Sequence, residues 1–218
     1  MPRAAAATVT TKTANNKILG IEIPPIENVI TEIEIVGVTD FIAHKFSEKA
    51  LKEIQDKQGG QPRSNKRAAR RPEDECHDAR YIDSQGKDCV RAIWFKKGMA
   101  EMAKYFGIPK HAVETSVWVE GDLIPIKFRG KKPVMRTDPV KIGRFPNKVT
   151  TLAYRPSYPD WSCRIRVGFD KNILSAQQVI ALLAHAGAKN GIGEWRPQKN
   201  GDFGRFEVKP ATRRGSGK

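Results

Sequence analysis

The most distinctive chemistry in the sequence lies in residues 191–206, which combine glycines, aromatic side chains and cations. Glycine permits positive φ angles and lets a backbone approach a ligand closely. Aromatic rings can stack on nucleic-acid bases, and arginine and lysine can hold phosphates. The residues that would do so are Gly191, Gly193, Trp195, Arg196, Lys199, Phe203 and Arg205. The same composition fits a glycine-rich hairpin whose aromatic side chains pack internally, and both interpretations stay open.

Other ligand chemistries have little support. The pair Gly191 and Gly193 follows a predicted helix and precedes a predicted strand, the reverse of the order in a dinucleotide-binding fingerprint, which disfavours NAD and FAD. Cys76, His77 and Cys89 fit no standard zinc spacing. We therefore predict no cofactor and no metal site.

Further candidate phosphate contacts occur in clusters along the chain. Residues 125–148 hold eight cations and one acid. A single surface lysine is usually only solvated, so the prediction rests on the clustering, and such contacts position a strand without reading its sequence. The candidates are Arg63, Lys66, Arg67, Arg70, Arg71, Lys96, Lys97, Lys127, Arg129, Lys131, Lys132, Arg136, Arg164 and Arg166.

The overall charge points to the same class of partner. The chain has 218 residues, with 39 Lys+Arg against 24 Asp+Glu and a formal net charge of +15. A charge of this sign and size is typical of proteins that bind nucleic acid, although it also serves solubility. No apolar run approaches the roughly 20 residues of a membrane-spanning helix. Three cysteines make no disulfide framework, so we expect a cytoplasmic setting.

Hydrophobic periodicity predicts the elements that must position these residues. Alternation predicts strands over 29–38 and 161–169, the second with arginines 164 and 166 on its polar face. Helical spacing predicts helices over 40–58 with Ser47 as N-cap, over 93–106, and over 175–187 with Ser175 as N-cap and Gly187 as C-cap. Residues 116–128 read as a hairpin with its turn at 121–122, and 203–208 as a last strand.

The remaining segments lack such periodicity. Residues 59–90 read as a long insertion loop, 125–148 as a basic loop, and 1–17 and 210–218 as flexible tails around a single domain over 18–209. Without the insertions the order is β-α-β-β-α-β. We therefore predict an α+β, ferredoxin-like (RRM-like) fold with an antiparallel sheet and both helices on one face.

The sequence also resembles known families. The segments IEIVGVTDFIAHKFSEKA, YRPSYPDWSCRIRV and GIGEWRPQKNGDFGRFEV are similar to a group of small phage-encoded proteins, over most of residues 26–208. A glycine-rich loop between the last helix and the last strand of a ferredoxin-like unit resembles the RAMP superfamily, the RNA-binding subunits of CRISPR effector complexes. The resemblance implies that residues 63–71 and 191–205 grip single-stranded RNA and that copies stack along the strand.

The resemblance also suggests a catalytic alternative, because some RAMP members are metal-independent RNA endonucleases with a catalytic histidine near the first helix. His44 follows the first predicted strand and Lys45 is adjacent. A histidine can act as general base on a 2′-hydroxyl while a lysine stabilises the phosphorane. A histidine at a helix start that only makes a local hydrogen bond is the competing interpretation.

These observations favour a non-enzymatic, largely sequence-independent binder of single-stranded RNA or DNA, assembled as an oligomer along the strand or as a subunit of a nucleoprotein complex. The alternatives are an endoribonuclease that uses His44 and a phage structural or assembly protein. In this fold we expect the basic segments to converge around one groove; if they are scattered over the surface, the net charge by itself no longer indicates a nucleic-acid partner.

Overall fold

The computed structural model describes residues 25–46, 48–60, 69–143, 146 and 148–210. The predicted tail over 1–17, the predicted N-cap Ser47, and the candidate cations Arg63, Lys66 and Arg67 lie outside these residues. So does the predicted tail over 210–218, except for Pro210, which ends the last strand.

Nine strands and five helices make up the described chain. The strands are β1 (Asn28–Gly37), β2 (Phe41–Ile42), β3 (Cys89–Arg91), β4 (Val117–Val119), β5 (Leu123–Pro125), β6 (Val134–Ile142), β7 (Val149–Tyr158), β8 (Ser162–Asp170) and β9 (Phe206–Pro210). The helices are α1 (Glu48–Gln58), α2 (Pro72–Asp78), α3 (Ala92–Ala103), α4 (Lys110–Ser116) and α5 (Ala176–His185).

The central sheet has four antiparallel strands in the order β4-β8-β1-β9. With α3 and α5, these strands follow one another along the chain as β1-α3-β4-β8-α5-β9. This is the βαββαβ sequence of a ferredoxin-like unit. The two helices pack against each other and contribute to one hydrophobic core with the sheet. The predicted fold class is confirmed.

The core side of the sheet comes from the alternating pattern of β1 and β8. Ile33 lies opposite Ile165, and Ile35 lies opposite Cys163, with all four side chains buried. Burying one large aliphatic side chain stabilises a fold by about 1.5–3 kcal/mol. The alternation therefore fixes both the register and the buried face of these two predicted strands.

Helix α5 begins as predicted and ends differently. The Ser175 hydroxyl accepts a hydrogen bond from the backbone N–H of Gln178, whose side chain accepts one from the Ser175 N–H, which completes a capping box. The predicted C-cap Gly187 is wrong, because a π turn continues to Asn190 and the left-handed residue is Gly191, with φ 64°. A Cβ on Gly187 would lie 2.1 Å from the Phe206 carbonyl oxygen, so this glycine allows the helix end to pack on β9.

The first insertion, between β1 and α3, is more ordered than the sequence suggested. The predicted helix over 40–58 begins only at Glu48, because Phe41 and Ile42 are buried in β2, which pairs with β7. The predicted loop over 59–90 contains α2 and β3, where Cys76 and Cys89 are buried. The predicted helix over 93–106 is present as α3 followed by a 3₁₀ turn.

The second insertion, between β4 and β8, corrects two predictions. Residues 116–128 form no hairpin, since β4 pairs with β8 while β5 pairs with β3. The basic stretch over 125–148 is not only a loop, because β6 runs through it and pairs with β7 over nine residue positions. β6 and β7 together form an extended hairpin beside the central sheet, and we call it the β6–β7 hairpin.

Among the helices in the described part of the chain, none combines the length and apolarity that crossing a membrane requires.

Candidate nucleic-acid interface

The glycine-rich loop, residues 191–205, is fixed against the start of the first insertion. The Glu194 N–H donates to the Ile42 carbonyl at 3.0 Å, and the Gly204 N–H donates to the Asp40 carbonyl at 2.8 Å. Within the loop, the Ile192 N–H donates to the Gly204 carbonyl at 2.9 Å. The loop therefore has one defined backbone path and presents its side chains from a fixed position.

The glycines of this loop are required by its own packing. Gly193 has φ 75°, and a Cβ there would lie 2.4 Å from the Ile42 carbonyl oxygen. Gly204 has φ 69°, and its Cβ would lie 1.9 Å from the Ile192 carbonyl oxygen. The close backbone approach expected toward a ligand is therefore made toward the protein itself at these two positions.

The two aromatic residues of the loop each face an arginine from the β6–β7 hairpin. The Arg136 guanidinium lies 4.6 Å from the Phe203 ring centre, and the Arg155 guanidinium lies 5.8 Å from the Trp195 ring centre. These two arginines are directly opposite each other in the β6–β7 register. Both distances are within the range of cation–π attraction, so the loop and the hairpin are in direct contact here.

Trp195 is the most exposed of the candidate stacking residues. It has φ 53°, a left-handed conformation that is rare for a bulky side chain. The Phe203 N–H donates to its carbonyl oxygen at 3.0 Å and stabilises this turn. The side chain remains 37% exposed, so an aromatic surface is available beside the loop.

The arginines of the loop are used within it. Arg196 donates from Nη1 to the Gly193 carbonyl at 2.8 Å and from Nε to Gln198 at 3.0 Å. Arg205 donates from Nη1 to the Ala188 carbonyl at 2.6 Å and pairs with Asp202 at 3.2 Å. These two side chains stabilise the loop, and Lys199 is its exposed cation.

A first cleft, the lysine cleft, lies between α3 and the glycine-rich loop. Its volume is about 500 Å³. The candidates that line it are Lys96, Lys97, Gly191, Gly193 and Arg196. Within the described part of the chain, Lys96 and Lys97 form no ion pair, whereas Lys110 at the same cleft pairs with Glu101 at 2.7 Å and with Glu114. This cleft is therefore lined by two lysines that have no ion-pair partner among the described residues.

A second cleft, the arginine cleft, lies between α2 and the β6–β7 hairpin, with a volume of about 880 Å³. Its lining includes His44, Lys45, Arg70, Arg71, Lys141 and Arg155. Arg70 pairs with Glu75 and also donates to the Thr151 hydroxyl and the Leu152 carbonyl, both at 2.7 Å. Arg71 is within 3.9 Å of Asp74. Arg70 thus holds α2 against the hairpin, whereas the contact of Arg71 is with α2 alone.

His44 is oriented by a carboxylate from the glycine-rich loop. Its Nδ1 lies 3.1 Å from Glu194 Oε1, and its carbonyl accepts a hydrogen bond from the Tyr81 hydroxyl at 3.3 Å. The His44 hydrogen bond lowers the pKa of the Glu194 carboxyl, and the charges of Arg155 and Arg196 act in the same direction against the effect of burial. The arrangement leaves the histidine Nε2 outside this contact, and Lys45 is its exposed neighbour.

The arginines on the open face of the central sheet are balanced by acids. Arg166 pairs with Glu120 at 2.8 Å, and Arg164 lies 3.8 Å from Glu32. The β1 register places Glu34 directly opposite Arg164. This face is therefore not a basic surface, although the alternation correctly predicted that both arginines point away from the core.

Four further candidates lie on the segment that follows β5, which pairs with the start of β8 at one position. Lys127 forms an isolated bridge with Ser162, and Arg129 pairs with Asp160 at 3.1 Å. Lys131 and Lys132 are exposed. The predicted residues therefore occupy the two clefts bordering the loop, the open sheet face and this exposed segment, rather than one groove.

Sequence reasoning missed two residues of the interface, Arg155 and Glu194. Arg155 lies in β7 and Glu194 lies inside the glycine-rich loop. Their importance comes from contacts with residues more than 30 positions away, such as Arg155 with Trp195 and Glu194 with His44. The sequence pointed to this part of the loop only through its composition, which singled out Trp195 and not the adjacent Glu194.

Comparisons with known proteins show a shared fold. No protein-family model and no curated protein matches the chain. A chain of the cryo-EM structure of the type III-B Cmr-beta bound to cognate target RNA matches with a TM-score of 0.54 and 10% identity, covering 84% of this chain and 59% of that one. The crystal structure of Cmr6 from Pyrococcus furiosus gives a TM-score of 0.45 and 11% identity, over 85% of this chain and 100% of that one. In its fold, this chain resembles the matched chain of the type III-B Cmr-beta structure.

Proposed function

We propose that this protein is a non-enzymatic, largely sequence-independent binder of single-stranded nucleic acid. The observation that carries the proposal is the lysine cleft, which Lys96 and Lys97 line together with Gly191 and Gly193 and where neither lysine forms an ion pair with a described residue. Lysine contacts of this kind go to phosphates and release counterions, so they give affinity without base readout. Trp195, in the same loop, offers an exposed ring on which any base can stack.

RNA is the favoured ligand within this proposal. The support comes from the fold shared with a chain of a complex that is bound to cognate target RNA. DNA stays an alternative, because phosphate contacts and aromatic stacking bind single-stranded RNA and single-stranded DNA equally well. A contact to the 2′-hydroxyl is what distinguishes RNA from DNA.

We further propose that the protein acts as a subunit, either as copies of itself along the strand or within a larger nucleoprotein complex. The support is the β6–β7 hairpin, on which five large apolar side chains are at least 44% exposed. They are Val134, Met135, Ile142, Val149 and Leu152. The three buried free cysteines fit a cytoplasmic setting, that of the host cell if the protein is phage-encoded.

The test of the binding proposal is the affinity of the whole chain for a 3′-fluorescein 20-nucleotide RNA, measured by anisotropy. Binding should weaken steeply between 50 and 200 mM salt and should favour the single strand over the duplex. Trp195→Ala should weaken binding about 5- to 150-fold, since base stacking on an aromatic ring is worth about 1–3 kcal/mol. Tyr105→Ala, which removes another exposed aromatic at the end of α3, is the matched control. Salt-independent binding, or equal effects of the two variants, would contradict the proposal.

A second candidate function, RNA cleavage, is favoured by one observation, the hydrogen bond between His44 and Glu194. A carboxylate that orients a histidine prepares its other ring nitrogen to take the proton of a 2′-hydroxyl. The 2′-oxygen would bond to phosphorus, the bond to the 5′-oxygen would break, and that oxygen would take up a proton. Lys45 is the neighbouring cation for the charged transition state.

Cleavage is tested with the same RNA in the presence of EDTA. If this second function holds, the wild type releases fragments with 2′,3′-cyclic phosphate ends, His44→Ala abolishes the release while binding is retained, and Glu194→Gln slows it. His111→Ala, an exposed histidine on α4, serves as control. Intact RNA after prolonged incubation with the wild type removes this candidate and leaves the binding proposal unaffected.

A further inference from the structure

Arg155 is the most unusual side chain in the described part of the chain. It is only 8% exposed, and its Nε and Nη1 atoms have no hydrogen-bond partner among the described residues. Its cross-strand neighbour Arg136 is satisfied, with Nε 2.8 Å from Asp138 and its guanidinium over Phe203. A buried charge without hydrogen bonds is costly, and two cations directly opposite each other in a sheet repel. Such a group needs an acceptor from outside the described residues.

The surroundings of Arg155 favour an anion as that acceptor. Arg155 forms part of the wall of the arginine cleft, together with His44, Lys45 and Lys141. The cleft wall also carries three acids, of which Glu75 pairs with Arg70, Asp74 lies 3.9 Å from Arg71 and Asp78 lies 3.9 Å from His77 Nδ1. The nearby carboxylate Glu194 is hydrogen-bonded to His44, and the charge of Arg155 helps to lower its pKa. The wall has five Lys and Arg side chains, among them Lys45, Lys141 and Arg155, against these three acids, so positive charge is in excess around a guanidinium with free donors.

We propose that the arginine cleft is a phosphate subsite for a nucleotide of the bound strand, with Arg155 as the group that recognises the phosphate. A guanidinium N–H donates charge-assisted hydrogen bonds to phosphate oxygens, and such bonds are stronger than those between neutral groups. Trp195 covers the guanidinium and stiffens its position, so the donors are held ready before the ligand arrives. The inference rests on the proposed nucleic-acid binding and adds a specific anion site to it. The phosphate is either an internal phosphodiester or a terminal monoester.

The variant Arg155→Met tests the subsite, because methionine keeps an unbranched stem and removes the charge. The probes are the 3′-fluorescein RNA with a 5′-phosphate and the same RNA with a 5′-hydroxyl. We expect binding at least about tenfold weaker, the scale of losing charge-assisted hydrogen bonds. Loss for both probes assigns an internal phosphodiester, and loss confined to the phosphorylated probe assigns a terminal phosphate. Lys171→Met, which removes one exposed cation beyond the end of β8, is the control for net charge.

Stability separates a ligand-binding role from a structural one. Removing an unpaired buried charge should leave the melting temperature of Arg155→Met equal to or above that of the wild type. A lower melting temperature, or failure to fold, overturns the proposal because it makes Arg155 a structural residue. Arg155→Lys keeps the positive charge but lacks the guanidinium N–H donors. It should therefore bind the RNA at least about fivefold more weakly than the wild type.

The two levels of proposal fail in different ways. A wild type that binds neither RNA overturns the proposed function. A wild type that binds while Arg155→Met matches Lys171→Met in affinity overturns only the phosphate subsite.

Discussion

Replacing Asp88 with alanine should lower the free energy of unfolding by about 3–5 kcal/mol, the scale for removing one partner of a buried ion pair. Asp88 is 7% exposed and accepts hydrogen bonds from Arg80 Nε and Nη2, each at 2.8 Å, and from the Tyr158 hydroxyl at 2.7 Å. Alanine would leave the guanidinium and the phenol without their acceptor inside the protein.

The effect should be large because Asp88 joins the two insertions. Asp88 and Arg80 belong to the first insertion, and Tyr158 ends β7 of the second, where its ring stacks on Phe41 at 5.4 Å. Burial and the bond to Asp88 raise the pKa of the Tyr158 hydroxyl, so it stays protonated and keeps donating. The hydrogen bond to Asp88 likewise raises the pKa of Arg80.

Urea denaturation of the whole chain measures the change. Asp122→Ala is the matched control, because Asp122 is 77% exposed and its pairing with Arg91 at 3.6 Å is worth less than about 1 kcal/mol. Tyr158→Phe should fall between the two, since it removes one hydrogen bond and keeps the ring. A loss below about 1 kcal/mol for Asp88→Ala would show that the insertions are held together by other contacts.

Local periodicity was sufficient for the elements of the ferredoxin-like unit. β1, β8 and α5 have clear alternation or capping signals, and each is found within a few residues of its predicted bounds. The failures lie in the insertions, where pairing is non-local. Phe41 pairs with Tyr158, more than 100 residues away. A strand of two residues is too short to show the alternation that would predict it. In β6, Pro139 suggested a loop, but the strand lies at a sheet edge, where proline is tolerated.

The residue types of the candidate interface could be predicted from the sequence, but the pairing of its cations with acids and carbonyl groups could not. The glycine-rich loop was found from its residue types, yet its arginines are used in its own hydrogen bonds. Counting cations cannot show which of them are paired, because Arg166 meets Glu120 only through the fold. The net charge of +15 therefore overstates the number of free phosphate contacts, and the unpaired lysines of the lysine cleft become the better candidates.

Reversing both of those charges, in the double variant Lys96→Glu/Lys97→Glu, should weaken RNA binding on the order of 100-fold at 50 mM salt. Each lysine that contacts a phosphate of a single strand contributes about 0.7 to the slope of log affinity against log salt. The double variant should therefore bind more weakly and also with a slope reduced by about 1.4, the sum for two such contacts. Reduced affinity with an unchanged slope would mean that the variant damages the fold and not the phosphate contacts.

The matched control is Lys52→Glu/Lys87→Glu, which reverses two exposed lysines outside both clefts and lowers the net charge equally. If the total charge of the chain governed binding, both double variants would lose the same affinity, because both change the net charge by the same amount. Salt screens attraction between distant charges, so a difference between the two variants reports close contacts to the strand. If the lysine cleft governs binding, only the cleft variant loses most of its affinity. Equal losses would mean that the total charge of the chain governs binding and would contradict the assignment of the interface to the lysine cleft.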